Sequence, residues 1–387
     1  MKVYLKKNIK NRIKNGHPWI YYNEIEKIDG EIENGSIVEV FNHENYFIGK
    51  GYINFNSKIR IRLLTRKNEK IDKNFLKKRI VQALRRRNTK EESFRVIFSE
   101  ADNLPGLIVD KFGNYLVIEI NTLGIEKIKN FIIDVLIEIF NPVGIFEKSD
   151  STSRKKEGLT TFTGWIYGNG PELIPYTING IILFADTKGQ KTGAFLDQRF
   201  NALSLRNYTN NKSCLDCFCY TGNFGLHMLK FGAKHVTFVD YSKRAIEVAE
   251  LALKKNDFQN YELIVGNAFD ILKSFYNSSK FFDVISIDPP SFAKSASTKQ
   301  SALKGYKEIN LRAMKILKER GILATSSCTQ VISEQEFINT IFSAAIDTGK
   351  ISRILHKGGQ PYDHPQVLNI LETQYLKFLL LEIENLK

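Results

Sequence analysis

Cys214-Leu-Asp-Cys-Phe-Cys-Tyr-Thr-Gly-Asn-Phe-Gly225 reads as a buried strand that turns through glycine into a helix. Leu215 to Tyr220 is apolar apart from Asp216, and Leu226, Met228, Leu229 and Phe231 then recur at helical spacing. The next run, His235-Val-Thr-Phe-Val-Asp240, completes a βαβ unit and ends in a carboxylate 18 residues after Gly222. A nucleotide-binding fold places the acid that grips a ribose diol at about that distance. A dinucleotide fingerprint wants three glycines so that backbone amides can close on a pyrophosphate, but only Gly222 and Gly225 are present and Tyr220 holds the first position. The looser turn suits a ligand with ribose and adenine but no pyrophosphate. S-adenosylmethionine is such a ligand; a nicotinamide dinucleotide is the alternative on fold analogy alone. Glycines serving packing only would leave Asp216 and Asp240 without a task.

Downstream the βαβ pattern continues. Ala245 to Lys255 reads as a helix, Glu262 to Val265 as a strand, Phe282 to Ile287 as a strand, Glu308 to Lys318 as a helix and Gly321 to Ser326 as a fifth strand. In an open parallel sheet, ligands sit beyond the carboxyl ends of the strands. Asp216, Asp240, Asn267, Asp288 and Cys328 each fall at such an end, so five candidates are expected on one rim.

The 387 residues suffice for two or three domains, and 43% hydrophobic residues allow a proper core. No run approaches the roughly 18 apolar residues that span a bilayer, and the opening Met1-Lys-Val-Tyr-Leu-Lys-Lys lacks the apolar region of a signal peptide. A cytoplasmic protein without a membrane partner is expected. Four cysteines, three of them at 214, 217 and 219, do not make a secreted disulfide framework. No second Cys or His pair stands at ligand spacing, so these three read as small buried hydrophobes and no metal is expected.

The net charge of +14 is localised: residues 1 to 90 hold 22 Lys and Arg against 9 Asp and Glu, which leaves +1 for the remaining 297 residues. There the cations are interleaved with Trp19, Tyr21, Tyr22, Phe41, Tyr46, Phe47, Tyr52 and Phe55. Cations for phosphates beside aromatic faces for unstacked bases suit RNA better than a merely solvated face. Short alternating runs up to about residue 70 predict a small β-barrel-like module, and 72 to 90, with Arg85-Arg-Arg87, a basic amphipathic linker helix. From 94 to 185, strands around one helix, Ile125 to Phe140, predict a small α+β domain, with Asp150 to Glu157 as a polar loop. The expected division is 1–72, 73–187 and 188–387, the last an α/β, Rossmann-like domain with a mostly parallel sheet.

Two rim residues carry chemistry. Asp288-Pro-Pro290 is a strand-anchored carboxylate stiffened by two prolines, suited to holding the amino group of a flipped base, with Pro289 and Pro290 beside that base. Cys328, in Thr325-Ser-Ser-Cys-Thr329, supplies a nucleophile. Carbon 5 of a pyrimidine is unreactive until a thiolate adds at carbon 6, whereas an exocyclic amine or ring nitrogen needs no covalent help. A buried packing cysteine is the plainer alternative. Gln190-Lys-Thr-Gly-Ala-Phe-Leu-Asp-Gln-Arg199 is dense in donors. Gln198 and Arg199 are expected on the cofactor, with Lys191 at its carboxylate or at the substrate; a charged linker would look much the same.

Together, the stretches Gln190 to Arg199, Leu215 to Gly222, Asn267 to Asp270, Asp288-Pro-Pro-Ser-Phe-Ala-Lys294, Gly305 to Met314 and Ser327-Cys328 closely resemble the RlmI-type class I methyltransferases. Gly16-His-Pro-Trp-Ile20 resembles the start of that family's PUA domain, and Ser99 to Asp110 its central domain; Asp363-His-Pro365 and Glu372 to Lys377 fit as well. The resemblance spans essentially the whole chain. It implies methylation of carbon 5 of a cytosine in large-subunit (23S) ribosomal RNA, with S-adenosylmethionine as donor. Residue by residue, it implies that the turn from Asp216 through Tyr220, Thr221 and Gly222 holds the methionine part and Asp240 the ribose. Asn267 and Ala268 would lie by the adenine, Asp288 by the base, and Cys328 would be the nucleophile. Thr329 stands where the family is expected to have Ser, and a hydroxyl is kept. Relatives in this broad group methylate guanine, and an inactive RNA-binding assembly factor is a further alternative. No residue stands out as the base for the carbon-5 proton, and a homodimer is left open.

Overall fold

The computed structural model describes residues 1–293 and 295–386; Lys294, which ends the Asp288 stretch, lies outside the described residues. The chain forms two compact units. One comprises Met1–Tyr176, Ala185–Ala194 and Tyr362–Thr373, the other Thr177–Phe184, Phe195–Pro361 and Gln374 onward.

In the first unit the alternating runs pair into a six-stranded sheet ordered Trp19–Tyr21, Ile59–Thr65, Phe47–Ile53, Ile37–Phe41, Lys2–Leu5 and Ile25–Asp29. Val3, Leu5, Val38, Val40, Ile53 and Ile61 turn inward from alternate positions and build its core. Tyr22, Tyr46 and Phe55 stay exposed. Tyr52 does not: it is buried, and its hydroxyl donates to the Pro105 carbonyl at 2.7 Å and lies at hydrogen-bond distance, 2.9 Å, from Thr122 Oγ1.

The second sheet of this unit runs Phe162–Gly168, Gly144–Ser149, Tyr115–Ile120, Leu107–Phe112 and Phe94–Phe98. Three expectations are corrected here. The helix Lys73–Arg87 forms, but its last arginine is not part of a basic face. Arg87 is buried against Asp102, itself fully buried, and its Nε donates to the Arg95 carbonyl at 2.9 Å. The stretch 150–157 is not simply a polar loop: Thr152–Lys156 is a short helix, and buried Arg154 donates to Ile120 O at 2.5 Å and to Glu126 Oε2 at 2.9 Å. Unpaired buried guanidinium groups are too costly to persist, so each finds a carboxylate far away in sequence. The expected helix Ile125 to Phe140 is two, Leu123–Lys127 and Lys129–Phe140, interrupted at Ile128.

The second unit contains a seven-stranded sheet. In chain order its strands are β1 (Ser213–Cys217), β2 (His235–Asp240), β3 (Tyr261–Val265), β4 (Phe282–Ile287), β5 (Leu317–Ser327), β6 (Lys350–Gly358) and β7 (Lys377–Asn385). In space they run β3, β2, β1, β4, β5, β7, β6. The first five are mutually parallel; β7 is antiparallel to β5 and β6. The helices are α1 (Asn223–Lys230), α2 (Lys243–Lys255), α3 (Ala268–Asn277), α4 (Lys299–Lys315) and α5 (Glu334–Asp347). Strand order reverses at β1, which places the switch point of a doubly wound sheet between β1 and β4. Helix α4 begins nine residues before the expected Glu308, because Gly305 does not break it; the bare Cα lets Phe292 pack close, 3.2 Å from where a Cβ would stand. Leu317 already pairs with Phe282, so α4 stops at Lys315 and β5 starts. Among the described residues no helix is long and apolar enough to cross a membrane.

Candidate active site

Strand β1 ends at Cys217, earlier than the apolar run suggested. Phe218, Tyr220 and Gly222 then take positive φ values of 61°, 48° and 89°, which coils the backbone into a tight loop before α1. Cys219 N donates to Val239 O at 3.1 Å and Tyr220 N to Asp240 Oδ2 at 2.9 Å, so the loop is tied to the end of β2. The glycines have steric tasks. A Cβ on Gly222 would stand 2.4 Å from Leu226 Cδ1, and one on Gly225 would stand 2.0 Å from Phe238 Cε1. Gly225 thus lets α1 lie directly on β2.

Asp216 is fully buried and both its oxygens are engaged. Oδ1 accepts from Ser286 Oγ at 2.5 Å, across the β1–β4 pairing, and Oδ2 accepts from Gly225 N at 2.7 Å. Burial pushes its pKa up to about 6, against the pull of these two donors. Asp216 therefore shapes the turn from behind. Thr221 is buried in it, and Tyr220, half-buried, meets Phe195 edge-on at 4.9 Å. Asp240 is half-buried and also accepts from Ser242 N at 2.8 Å, which fixes its carboxylate at the strand end. Asn267 is exposed and caps α3 by accepting from Phe269 N at 2.9 Å; Ala268, next to it, is buried. Gly266 N donates to Asp240 O at 2.9 Å, joining the ends of β2 and β3.

On the other side of the switch point, Asp288 follows β4 and its backbone N–H donates to Cys217 O at 3.3 Å. Its Oδ1 accepts from Gln198 Nε2 at 2.8 Å, and the same amide reaches Ser326 Oγ on β5 at 3.2 Å. Asn201 Nδ2 donates to Gln198 Oε1 at 2.6 Å, which orients the amide. Gln198, expected on the cofactor, is thus tied to Asp288 and to the end of β5. Pro289 is buried and Pro290 exposed. Cys328 follows β5, half-buried, with Sγ 3.9 Å from Pro289 O. The flanking Thr329 is anchored by Tyr306 Oη at 2.7 Å and Ser291 Oγ at 3.1 Å. Asp288 and Cys328, 40 residues apart, therefore share one corner of the rim. Arg199 is buried, and Lys191, with φ of 49°, belongs to the first unit while Gln198 and Arg199 belong to the second. Cys214, Cys217 and Cys219 are free and buried, which pushes each thiol pKa up.

Residues 3–66 match the PUA-like domain family and residues 208–359 the methyltransferase domain family. A ribosomal RNA large subunit methyltransferase I from Aliivibrio fischeri is 36% identical over 385 residues, covering 97% of either chain. The chain belongs to the RlmI family. The protein of the same description from Tolumonas auensis is also 36% identical, over 97% of this chain and 98% of its own. RlmI membership makes the Rossmann-like domain an S-adenosylmethionine-dependent methyltransferase domain. The fold agrees: SMU.776, solved in complex with SAH, superposes with a TM-score of 0.84 at 22% identity, covering 99% of this chain and all of its own.

The RlmI donor set fits such a cofactor. A loop between β1 and α1, an acceptor at Asp240 and a capped α3 next to Ala268 stand along one rim. Asn223 Nδ2, in the first turn of α1, is buried without a hydrogen-bond partner, a donor left over for a ligand's acceptor. Sequence reasoning passed over Asn223, and also Tyr241, 80% exposed directly after Asp240, an aromatic face beside that carboxylate. Its position after that acid was the available signal. Lys377, opposite Ser327 across β5 and β7, was missed as well.

Proposed function

We propose that the protein methylates carbon 5 of a cytosine in large-subunit (23S) ribosomal RNA through a covalent adduct with Cys328. The observation that carries the reading is the corner at Pro289, where a half-buried thiol stands next to a strand-anchored carboxylate. A base flipped into that corner would offer its amino group to Asp288, positioned by Gln198, and carbon 6 to the sulfur. The Cys328 thiolate adds to carbon 6, forming an S–C bond as the carbon 5–carbon 6 π pair moves to make carbon 5 nucleophilic. S-adenosylmethionine supplies an electrophilic methyl group, to which carbon 5 forms a C–C bond while the S–CH3 bonding pair stays with the donor sulfur. Loss of the carbon-5 proton to solvent water then restores the double bond and expels the thiolate. Asp240 would hold the ribose hydroxyls, Asn267 and Ala268 the adenine edge, and the loop from Asp216 to Gly222, with Arg199, the methionine end. Lys191, Pro289 and Pro290 would lie against the RNA. The first unit supports the substrate class: exposed Tyr22, Tyr46 and Phe55 stand among cations, with Arg60 over Phe55 at 5.1 Å.

The test is incubation with methyl-labelled S-adenosylmethionine and unmodified ribosomal RNA, followed by digestion and mass spectrometry of the nucleosides. The expected product is 5-methylcytidine, absent with Cys328→Ala. Label in a guanosine would assign the same fold to a base that needs no thiol. No label with either free RNA or assembled subunits would favour an assembly factor.

A further inference from the structure

Antiparallel pairing of β5 with β7 sets Lys377 opposite Ser327, the residue before Cys328. The Lys377 ammonium donates to Thr329 O at 2.6 Å and to Tyr375 O at 2.8 Å. Its head is thus held at the carbonyl of the residue after Cys328, so the cation straddles the cysteine along the chain. An ammonium has three N–H bonds; two of those of Lys377 go to carbonyls, and among the described residues no carboxylate acts on it. Burial pushes its pKa down to about 8, and the charge of Cys328 is what pulls it back up.

The other groups at this corner are unfavourable or neutral toward a thiolate. Asp288, after β4, is a carboxylate that raises the neighbouring Tyr306 pKa, as Cys328 does. Tyr306, from α4, is held neutral, its pKa pushed up to about 12 chiefly by burial. Tyr375 donates to Asp197 at 2.5 Å, which keeps a further carboxylate occupied. Lys377 is the cation set against these.

We propose that Lys377 is a positioning residue whose ammonium holds Cys328 in its thiolate form, ready to add to the base; this rests on the nucleophile reading of Cys328. On ionisation the S–H pair stays on sulfur and the proton passes to bulk buffer, with no change of oxidation state. An adjacent ammonium lowers a thiol pKa through simple charge attraction, amplified where water is partly excluded.

The experiment is alkylation of the intact protein by iodoacetamide across pH 6 to 10, with the rate at Cys328 read by peptide mass spectrometry. The three buried cysteines serve as internal references. Wild type is expected to titrate below the ordinary thiol value of about 8.5. Lys377→Gln keeps two N–H donors for the two carbonyls but removes the charge, and is expected to slow alkylation at pH 7 about tenfold, one pKa unit. Lys377→Arg should restore the wild-type profile. A wild-type midpoint at or above 8.5, or superposed profiles for wild type and Lys377→Gln, overturns the proposal, and the wild-type arm holds even if a variant fails to fold. No RNA enters the assay. Loss of the cytosine reading therefore appears in the nucleoside analysis alone, and loss of the Lys377 reading in the alkylation profile.

Discussion

Asp216 Oδ2 accepts a hydrogen bond from Gly225 N at 2.7 Å, so a strand residue caps the helix that follows it. The N-cap position of α1 is Gly222, which has no side chain to satisfy the first free amides. The carboxylate does this from nine residues upstream.

Because the folded pKa of Asp216 is raised, from 3.8 to about 6, its carboxylate form is penalised by folding. The associated stability is complete below about pH 3.8 and is lost as pH rises through about 6. Asp216→Asn, which can still accept from Gly225, should therefore gain on wild type by up to about 3 kcal/mol between pH 3.5 and 7. Urea denaturation of both proteins at the two pH values measures this; a constant difference would contradict it.

His227 should show the opposite slope. It is buried on α1, hydrogen-bonded to Asn223 O at 2.7 Å and to Asn179 Nδ2 at 2.9 Å, and burial pushes its pKa down to about 4. Its neutral form is favoured by folding, so stability is present above about pH 6.5 and lost as pH falls toward 4. Wild type should thus lose stability between these values relative to His227→Gln, again by about 3 kcal/mol, read from the same denaturation curves.

Gly225→Ala would push a methyl group into Phe238, 2.0 Å from Cε1. The expected cost is about 1–3 kcal/mol, with weaker S-adenosylmethionine binding by calorimetry as α1 is displaced from β2. Phe238→Leu should recover part of both in the double variant. Absence of any recovery would mean that the glycine serves the ligand and not the packing.

Arg85 and Arg87 should separate sharply under substitution. Arg87→Met removes the buried partner of Asp102 and is expected to cost about 3–5 kcal/mol. Arg85, exposed on the same helix, should be within about 0.5 kcal/mol of wild type as Arg85→Met. Thermal melts of the two proteins make the comparison.

These arginines also mark how far the sequence could be read. Residue spacing was enough for β4, found at Phe282–Ile287 as expected, and for gathering Asp216, Asp240, Asn267, Asp288 and Cys328 on strand ends, because period and order along the chain determine both. Whether a cation faces water or a carboxylate depends on pairing across tens of residues. Arg87 with Asp102, Arg154 with Glu126 and Tyr52 with Pro105 had no local signal. The partners of Gln198 had no local signal for the same reason: Asp288 and Ser326 lie 90 and 128 residues away. Lys377 was invisible because nothing in its own stretch says that β7 inserts between β5 and β6.

That insertion has a consequence for a chain made from its amino end. Strand β5 carries Ser327 at its end, yet the neighbour that brings Lys377 to it is synthesised 50 residues later. The first unit waits too, since Arg95 N donates to Asp363 Oδ2 at 2.8 Å. Up to that point the nascent polypeptide can already hold β1 to β5 and the glycine turn while Cys328 still lacks the strand that pairs beside it. The side of β5 that faces β7 is thus completed only after the β1–α1 turn has been laid down.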